Sequence, residues 1–169
     1  KEKDLNLDIA LRLNELLKEK NIKTYMMRED DSFVSLYERA YIANSLNASL
    51  FLSIHNNAMD NTSYGGTMTL CYPASSNSKG FTGEAFAQIV QKNLIKTLGT
   101  TDRKVVHRPN LVVLKATKMP AALAEIAFLT NDNDRNNLQN ATFRQKAAQA
   151  LCDAVIQALE ELDKTSDNN

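Results

Sequence analysis

Apolar residues recur with the period of an α-helix in several stretches of the chain. Near the N-terminus, leucines and isoleucines alternate with charged residues at this period, which predicts an amphipathic helix over residues 4–20. Ser35 and Glu38 form a capping-box pattern at the start of a second helix, and Gly99 is a stop signal for a third. The period predicts further helices over residues 36–46, residues 86–98, a short stretch from about Asn131, and residues 143–162.

Short apolar runs bounded by turn residues lie between these helices and predict β-strands. They cover residues 22–27, 50–54, 67–72, 105–107, 111–115 and 122–129. Strands that alternate with helices are typical of an α/β fold. We therefore expect a mostly parallel or mixed central sheet with helices on both faces, in three layers. A single domain is expected over residues 1–163, followed by a polar tail over residues 164–169.

Composition excludes several classes of function. The chain has 169 residues with 20 Lys+Arg against 20 Asp+Glu, so it has no basic surface of the kind that nucleic-acid binding needs. The sequence contains no apolar run of the length that spans a bilayer. Cys71 and Cys152 are far apart and lie in apolar segments, which favours core packing over a metal or redox pair.

Glu125 is the least expected residue for its position. It interrupts the apolar run 121–129, where an unpaired ionised carboxylate would cost several kcal/mol or would become protonated. Two interpretations are open at this point. Glu125 is either the acid of a functional site or a structural carboxylate near the strand end that is paired with an arginine.

His55 follows an apolar strand and precedes a polar loop. This position places its imidazole at the carboxyl edge of the sheet, where open α/β sheets bind their ligands. A structural histidine is the alternative, because one histidine is not a metal site and zinc needs three or four nitrogen, oxygen or sulfur ligands. His107 lies among Arg103, Lys104 and Arg108 and is interpreted as part of a solvated basic surface.

Two segments carry a resemblance to a known family. Ser-Ile-His-Asn-Asn-Ala at residues 53–58 is followed, after a long interval, by Met-Pro-Ala-Ala-Leu-Ala-Glu-Ile-Ala-Phe-Leu-Thr-Asn at residues 119–131. Together they resemble the zinc-dependent N-acetylmuramoyl-L-alanine amidases of bacterial cell-wall hydrolases. Residues 2–7 and 46–52 also resemble that family, and the resemblance covers nearly the whole chain in order.

The resemblance implies a role for particular residues. It makes Glu2 and His55 ligands of one Zn²⁺ per chain and Glu125 the catalytic carboxylate. Asn57 and Arg39 match recurrent family positions; Asn57 is a candidate substrate contact with a structural role as its alternative, and Arg39 is expected to be structural.

The chain also departs from the family pattern. A further zinc-ligand histidine precedes, in the family, the segment that matches Glu2, so the third protein ligand is expected N-terminal to Lys1. The sequence is thus interpreted as an N-terminally incomplete domain, because the helix of an α/β unit normally follows a strand. Ala127 replaces a glycine that is usual in the family.

The implied function is hydrolysis of the amide bond between N-acetylmuramic acid and L-alanine in peptidoglycan. The partners would be the glycan strand and stem peptide, held by residues 56–66 and 109–119, and the expected setting is a secreted or cell-wall monomer outside the cytoplasm. One alternative is a non-catalytic peptidoglycan-binding or regulatory domain with an incomplete metal site. Another is a doubly wound domain that binds a nucleotide or a partner protein, which leaves Glu125 and His55 without a role.

Overall fold

The computed structural model describes residues 1–166, which form six helices and four strands. The helices are α1 (Glu2–Glu19), α2 (Leu36–Ser45), α3 (Gly83–Leu98), α4 (Val112–Lys115), α5 (Asp132–Gln139) and α6 (Ala141–Ser166). The strands are β1 (Phe51–Asn57), β2 (Thr67–Cys71), β3 (Asp102–His107) and β4 (Ala121–Phe128).

The four strands form one mixed sheet in the order β1-β4-β2-β3. Strand β4 is parallel to β1 and antiparallel to β2, and β2 is parallel to β3. The predicted mixed α/β sheet is confirmed. Strand β1 lies at an edge of the sheet among the described residues, and the most buried strands are β4 and β2.

Helices cover both faces of the sheet, which confirms the three-layer arrangement. On one face α1, α3 and α6 pack around a core that includes Ile9, Phe86 and Leu151. On the other face a smaller core joins α2 and α4 to the sheet through Ala43, Val113, Phe51, Leu123 and Phe128. Cys71 and Cys152 are both buried and free, as expected for core residues.

Side chains at the predicted starts and stops fix the helix boundaries. Ser35 accepts a hydrogen bond from the Glu38 backbone N–H, and Asn131 accepts one from Asp134, so both act as N-caps. Gly99 closes α3 with φ of 65°, a left-handed conformation that glycine adopts without steric cost. Leu36 and Leu46 are each 51% exposed, because α2 buries only its alanine face.

Two predicted strands are wrong. Residues 22–27 are irregular because no strand lies beside them; residues 23–27 make no backbone–backbone hydrogen bond to another described residue. Residues 111–115 form α4 instead of a strand. The helical turn directs the adjacent side chains Val113 and Leu114 into the same core, whereas consecutive side chains of a strand point to opposite faces.

The C-terminal helix is longer than its apolar pattern suggested. Helix α6 continues to Ser166, so the first residues of the predicted polar tail are helical, and residues 167–169 lie outside the described part of the chain. Within residues 1–166, no helix combines the length and apolar character needed to cross a membrane.

A buried carboxylate fastens the start of β2 to the end of β4. Asp134 is 7% exposed, and its Oδ2 accepts hydrogen bonds from the backbone N–H groups of Gly66 at 2.8 Å and Phe128 at 2.9 Å. Gly66 has φ of 119°, and a Cβ atom there would lie 2.3 Å from the carbonyl oxygen of Thr101. The turn before β2 therefore requires glycine at this position and an acceptor from α5.

We expect Asp134→Ala to lower the free energy of unfolding by about 3 kcal/mol, because it leaves two buried N–H groups without an acceptor. The matched variant Asp134→Asn keeps one acceptor oxygen between both donors and should cost about 1 kcal/mol. Urea denaturation of the three proteins measures the difference. Equal losses for the two variants would show that the hydrogen bonds to Oδ2 do not stabilise the fold.

Candidate active site

Strand register brings His55 and Glu125 side by side. They are paired residues of the parallel strands β1 and β4. Side chains alternate along β4, so Leu123 and Glu125 share one face while Ala124 and Ile126 pack into the core on the other. His55 and Glu125 therefore lie on the face of the sheet that α2 and α4 partly cover.

Glu2 reaches the same place from the first turn of α1. Its Oε1 lies 3.2 Å from His55 Nδ1 and 3.4 Å from the backbone nitrogen of Asn56. An acidic residue is favoured in the first turn of a helix because the helix dipole is positive there. Three elements of the fold thus bring Glu2, His55 and Glu125 together, as the resemblance implied.

Two asparagines that the sequence analysis did not identify hold Glu2 in place. Asn6 Nδ2 donates to Glu2 Oε1 at 3.1 Å, and Asn56 Nδ2 donates to Asn6 Oδ1 at 2.7 Å. Asn56 is 2% exposed, and its Oδ1 has no hydrogen-bond partner among the described residues. Glu2 and Asn6 are four residues apart and are therefore neighbours on the helix surface. This spacing identifies Asn6 as a partner only after Glu2 has been assigned to the site.

Among the described residues, Glu125 has no cation beside it. Its Oε2 is inaccessible to solvent and makes no hydrogen bond within residues 1–166, and no arginine or lysine nitrogen lies within 4.0 Å of the carboxylate there. The interpretation of Glu125 as a structural acid paired with an arginine is therefore wrong. Burial, and to a smaller extent the charge of Glu2, raise the pKa of Glu125 to about 7.

The pair of Glu2 and His55 fits two positions of a zinc site. Zinc binds carboxylate oxygen and imidazole nitrogen at about 2.0–2.1 Å, so two ligands of a tetrahedral site lie about 3.3 Å apart. The observed separation of 3.2 Å between Glu2 Oε1 and His55 Nδ1 matches this value. In the part of the chain that the structure describes, no group of three or more His, Cys, Asp or Glu side chains is arranged to hold a metal.

The remaining candidates lie around this centre or away from it. Asn57 Oδ1 accepts a hydrogen bond from its neighbour's backbone N–H, so the role of Asn57 in substrate binding stays a prediction. Arg39 donates to the carbonyl of Val34, and burial lowers its pKa, as does the charge of Arg28. His107 lies at the far end of β3, where its Nε2 is 3.3 Å from Glu84 Oε2.

A groove of about 810 Å³ runs along the outer edge of β1. It separates β1 from residues 22–27, with α1 and α2 as its other walls, and it ends at His55. Strand β1 has a hydrogen-bonded neighbour only on its β4 side within residues 1–166. The groove therefore leaves one edge of the sheet open beside the site.

Comparison with known proteins identifies the family. The family model described as N-acetylmuramoyl-L-alanine amidase matches residues 1–157. The chain belongs to this amidase family. The resemblance seen in the two sequence motifs is thereby confirmed.

Relatives of the chain include both named enzymes and an uncharacterised protein. N-acetylmuramoyl-L-alanine amidase LytC of Bacillus subtilis is 40% identical over 158 residues, which are 92% of this chain and 30% of LytC. Uncharacterized protein YqiI of Bacillus subtilis is 34% identical over 91% of this chain and 72% of its own length. The chain thus spans less than a third of LytC.

Solved structures share the fold. The catalytic domain of the amidase CwlV from Bacillus (Paenibacillus) polymyxa var. colistinus superposes with a TM-score of 0.86 at 31% identity, covering 95% of this chain and 86% of that domain. An N-acetylmuramoyl-L-alanine amidase from Clostridium difficile 630 gives a TM-score of 0.86 at 34% identity, covering 94% and 84% of the two chains.

Proposed function

We propose that this protein hydrolyses the amide bond between N-acetylmuramic acid and L-alanine in peptidoglycan, with one bound zinc ion. The observation that carries the proposal is the half-buried, cation-free carboxylate of Glu125 beside the Glu2 and His55 pair, in a chain of the amidase family. The relative LytH of Staphylococcus aureus is described as a probable cell wall amidase, which supports action outside the cytoplasm.

Glu2 and His55 would hold the zinc ion, and their spacing is compatible with two ligands of a single metal. Bound zinc would lower the pKa of a water molecule to about 7 and polarise the amide carbonyl. Asn6 holds the Glu2 carboxylate in the orientation needed for ligation, as groups around a metal's direct ligands commonly do.

Glu125 would move the protons. An amide nitrogen leaves only when it is protonated, so the site needs one group that first accepts a proton from water and then donates it to the amine. A carboxylate with a pKa of about 7 is suited to both steps near neutral pH. Its Oε2 makes no hydrogen bond to the described residues, so no protein group competes for the proton that Glu125 would carry.

A third zinc ligand is proposed to come from a β-strand that fills the groove beside β1. The outer edge of β1, away from β4, faces residues 22–27 across this groove, and a strand between them would find partners on both sides. The strand's end would lie next to His55. The catalytic domain of CwlV is longer than the region matched by this chain, which agrees with such an additional segment.

Substrate would approach the face that carries Glu125. The loop over residues 56–66 and the segment over residues 109–119 border this face, and we propose that they contact the glycan strand and stem peptide. The alternative function is a non-catalytic peptidoglycan-binding or regulatory domain. The two-ligand set within residues 1–166 favours this alternative if no further ligand joins it.

In the natural full-length protein, we expect Glu125→Gln to retain zinc and to lose activity on purified peptidoglycan by at least about a hundredfold, because the proton carrier is removed. We expect His55→Ala to lose both zinc and activity, because it removes a ligand. Release of L-alanine amino groups and elemental analysis measure the two properties.

Glu84→Gln serves as the control, since it removes a half-exposed carboxylate at a distant edge of the sheet. Full activity of the Glu125→Gln variant would show that another group carries the protons. Loss of zinc from that variant would assign Glu125 to the metal instead.

Elemental analysis also tests the third ligand. The 169-residue chain should bind zinc weakly, and a form extended N-terminally should bind about one zinc per molecule, because a three-ligand site is far more stable than a two-ligand site. The extended form with His55→Ala is the matched control. Absence of zinc from both lengths would contradict the metalloenzyme proposal and favour the binding-domain alternative.

A further inference from the structure

Arg103 of β3 lies across the sheet from Glu125 and has no acidic partner within residues 1–166. We propose that Arg103, held against Tyr64, binds a carboxylate on the second or third residue of the stem peptide and so selects acidic peptides. The inference rests on the proposed function, and it names a part of the substrate that the Glu125 site itself does not contact.

Strand register gives the position of Arg103. Glu125 of β4 pairs with Met68 of β2, and the β3 residues opposite Met68 are Arg103 and Lys104, at an irregularity in the ladder. Neighbouring strands lie about 4.8 Å apart, so Arg103 is about 10 Å from the Glu125 strand. Met68 and Tyr64 both belong to the core on the Glu125 face.

The guanidinium group of Arg103 is fixed on one side and free on the other. Its Nε donates to the carbonyl of Gly65 at 2.6 Å, and its central carbon lies 3.9 Å from the centroid of the Tyr64 ring. Neither Nη atom donates to another residue of the described chain, and no carboxylate lies within 4.0 Å there. Asp102, the nearest acid in sequence, is paired with Lys104 instead.

The platform under Arg103 is rigid. Tyr64 packs edge-to-face on the buried ring of Phe128, with centroids 5.1 Å apart. A Cβ atom on Gly65 would lie 2.9 Å from Asn131 Cγ, and Asn131 also donates to the carbonyl of Thr62 at 3.0 Å. A cation that is already held in one orientation loses little further entropy when it binds an anion.

Charge favours a carboxylate as the ligand. Arg103 has no carboxylate within 4.0 Å among residues 1–166, so an anionic group on the substrate is the ligand that complements its charge. The two free Nη groups of an arginine match the two oxygens of a carboxylate. An extended peptide advances about 3.3–3.6 Å per residue, so the second or third residue beyond the cleaved bond reaches Arg103.

The test uses two synthetic muramoyl tripeptides that differ only in whether residues two and three carry free carboxylates or carboxamides. The natural full-length enzyme should show a kcat/KM about tenfold higher for the acidic peptide. Arg103→Gln should lower kcat/KM on the acidic peptide by about 10- to 100-fold and should change the amide peptide less than about threefold. Its side-chain amide can still donate to the Gly65 carbonyl, so the loop contact is retained.

Lys104→Gln is the matched control, because it removes the same charge one residue away and should leave the preference unchanged. Equal losses on both peptides in Arg103→Gln, or no preference in the parent enzyme, would overturn the inference and assign Arg103 a structural role. Peptide affinity is also measured in the Glu125→Gln background. Arg103-dependent binding of the acidic peptide there supports the inference whether or not the parent enzyme cleaves either peptide. Failure of the parent enzyme to cleave both peptides would contradict only the proposed function.

Discussion

Register between β1 and β4 decides which side of the sheet carries the polar groups. His55 and Glu125 are paired residues of these parallel strands. Their neighbours Ile54 and Ile126 pack in the core on the opposite face. A shift of β1 by one residue would move His55 to that face and would place Ile54 or Asn56 beside Glu125. The large apolar core under α1, α3 and α6 opposes such a shift, because it would expose Ile54 and its neighbours.

The stability of the fold and the proposed amide hydrolysis favour different surroundings for the Glu125 carboxylate. A buried carboxylate without a cation is costly, and the chain meets that cost partly by keeping the group protonated up to about pH 7, the value to which burial raises its pKa. An arginine beside Glu125 would lower its pKa and stabilise the fold, but it would also remove the proton affinity that amide hydrolysis needs. Arg103, the cationic side chain that we connect with the substrate, lies two strands away and makes no direct contact with Glu125.

The local sequence pattern predicted much of the fold because most helices and strands are specified by residues within them or at their ends. For example, Ser35 and Gly99 cap helices through contacts a few residues away. The apolar runs of β2 and β4 are likewise visible within each strand. The strand predictions for residues 22–27 and 111–115 were wrong because the conformation of these segments depends on the elements that pack beside them. Glu125 and His55 were conspicuous in sequence, whereas Glu2 was found through the family resemblance. Asn6, Asn56 and the Tyr64–Arg103 pair depend on contacts between distant segments, which no local pattern reports.

Metal binding and completion of the sheet are coupled in the proposed arrangement. The groove along β1 ends at His55, so a strand that pairs with β1 would bring its own end to the ligands. If pairing of this strand with β1 raises the affinity for zinc by some factor, then zinc binding raises the equilibrium constant for that pairing by the same factor. Glu2 and His55 are already 3.2 Å apart, held by Asn6 and by the register of β1. Weak binding by the two-ligand set would therefore reflect the absent third ligand rather than disorder of the two that are present.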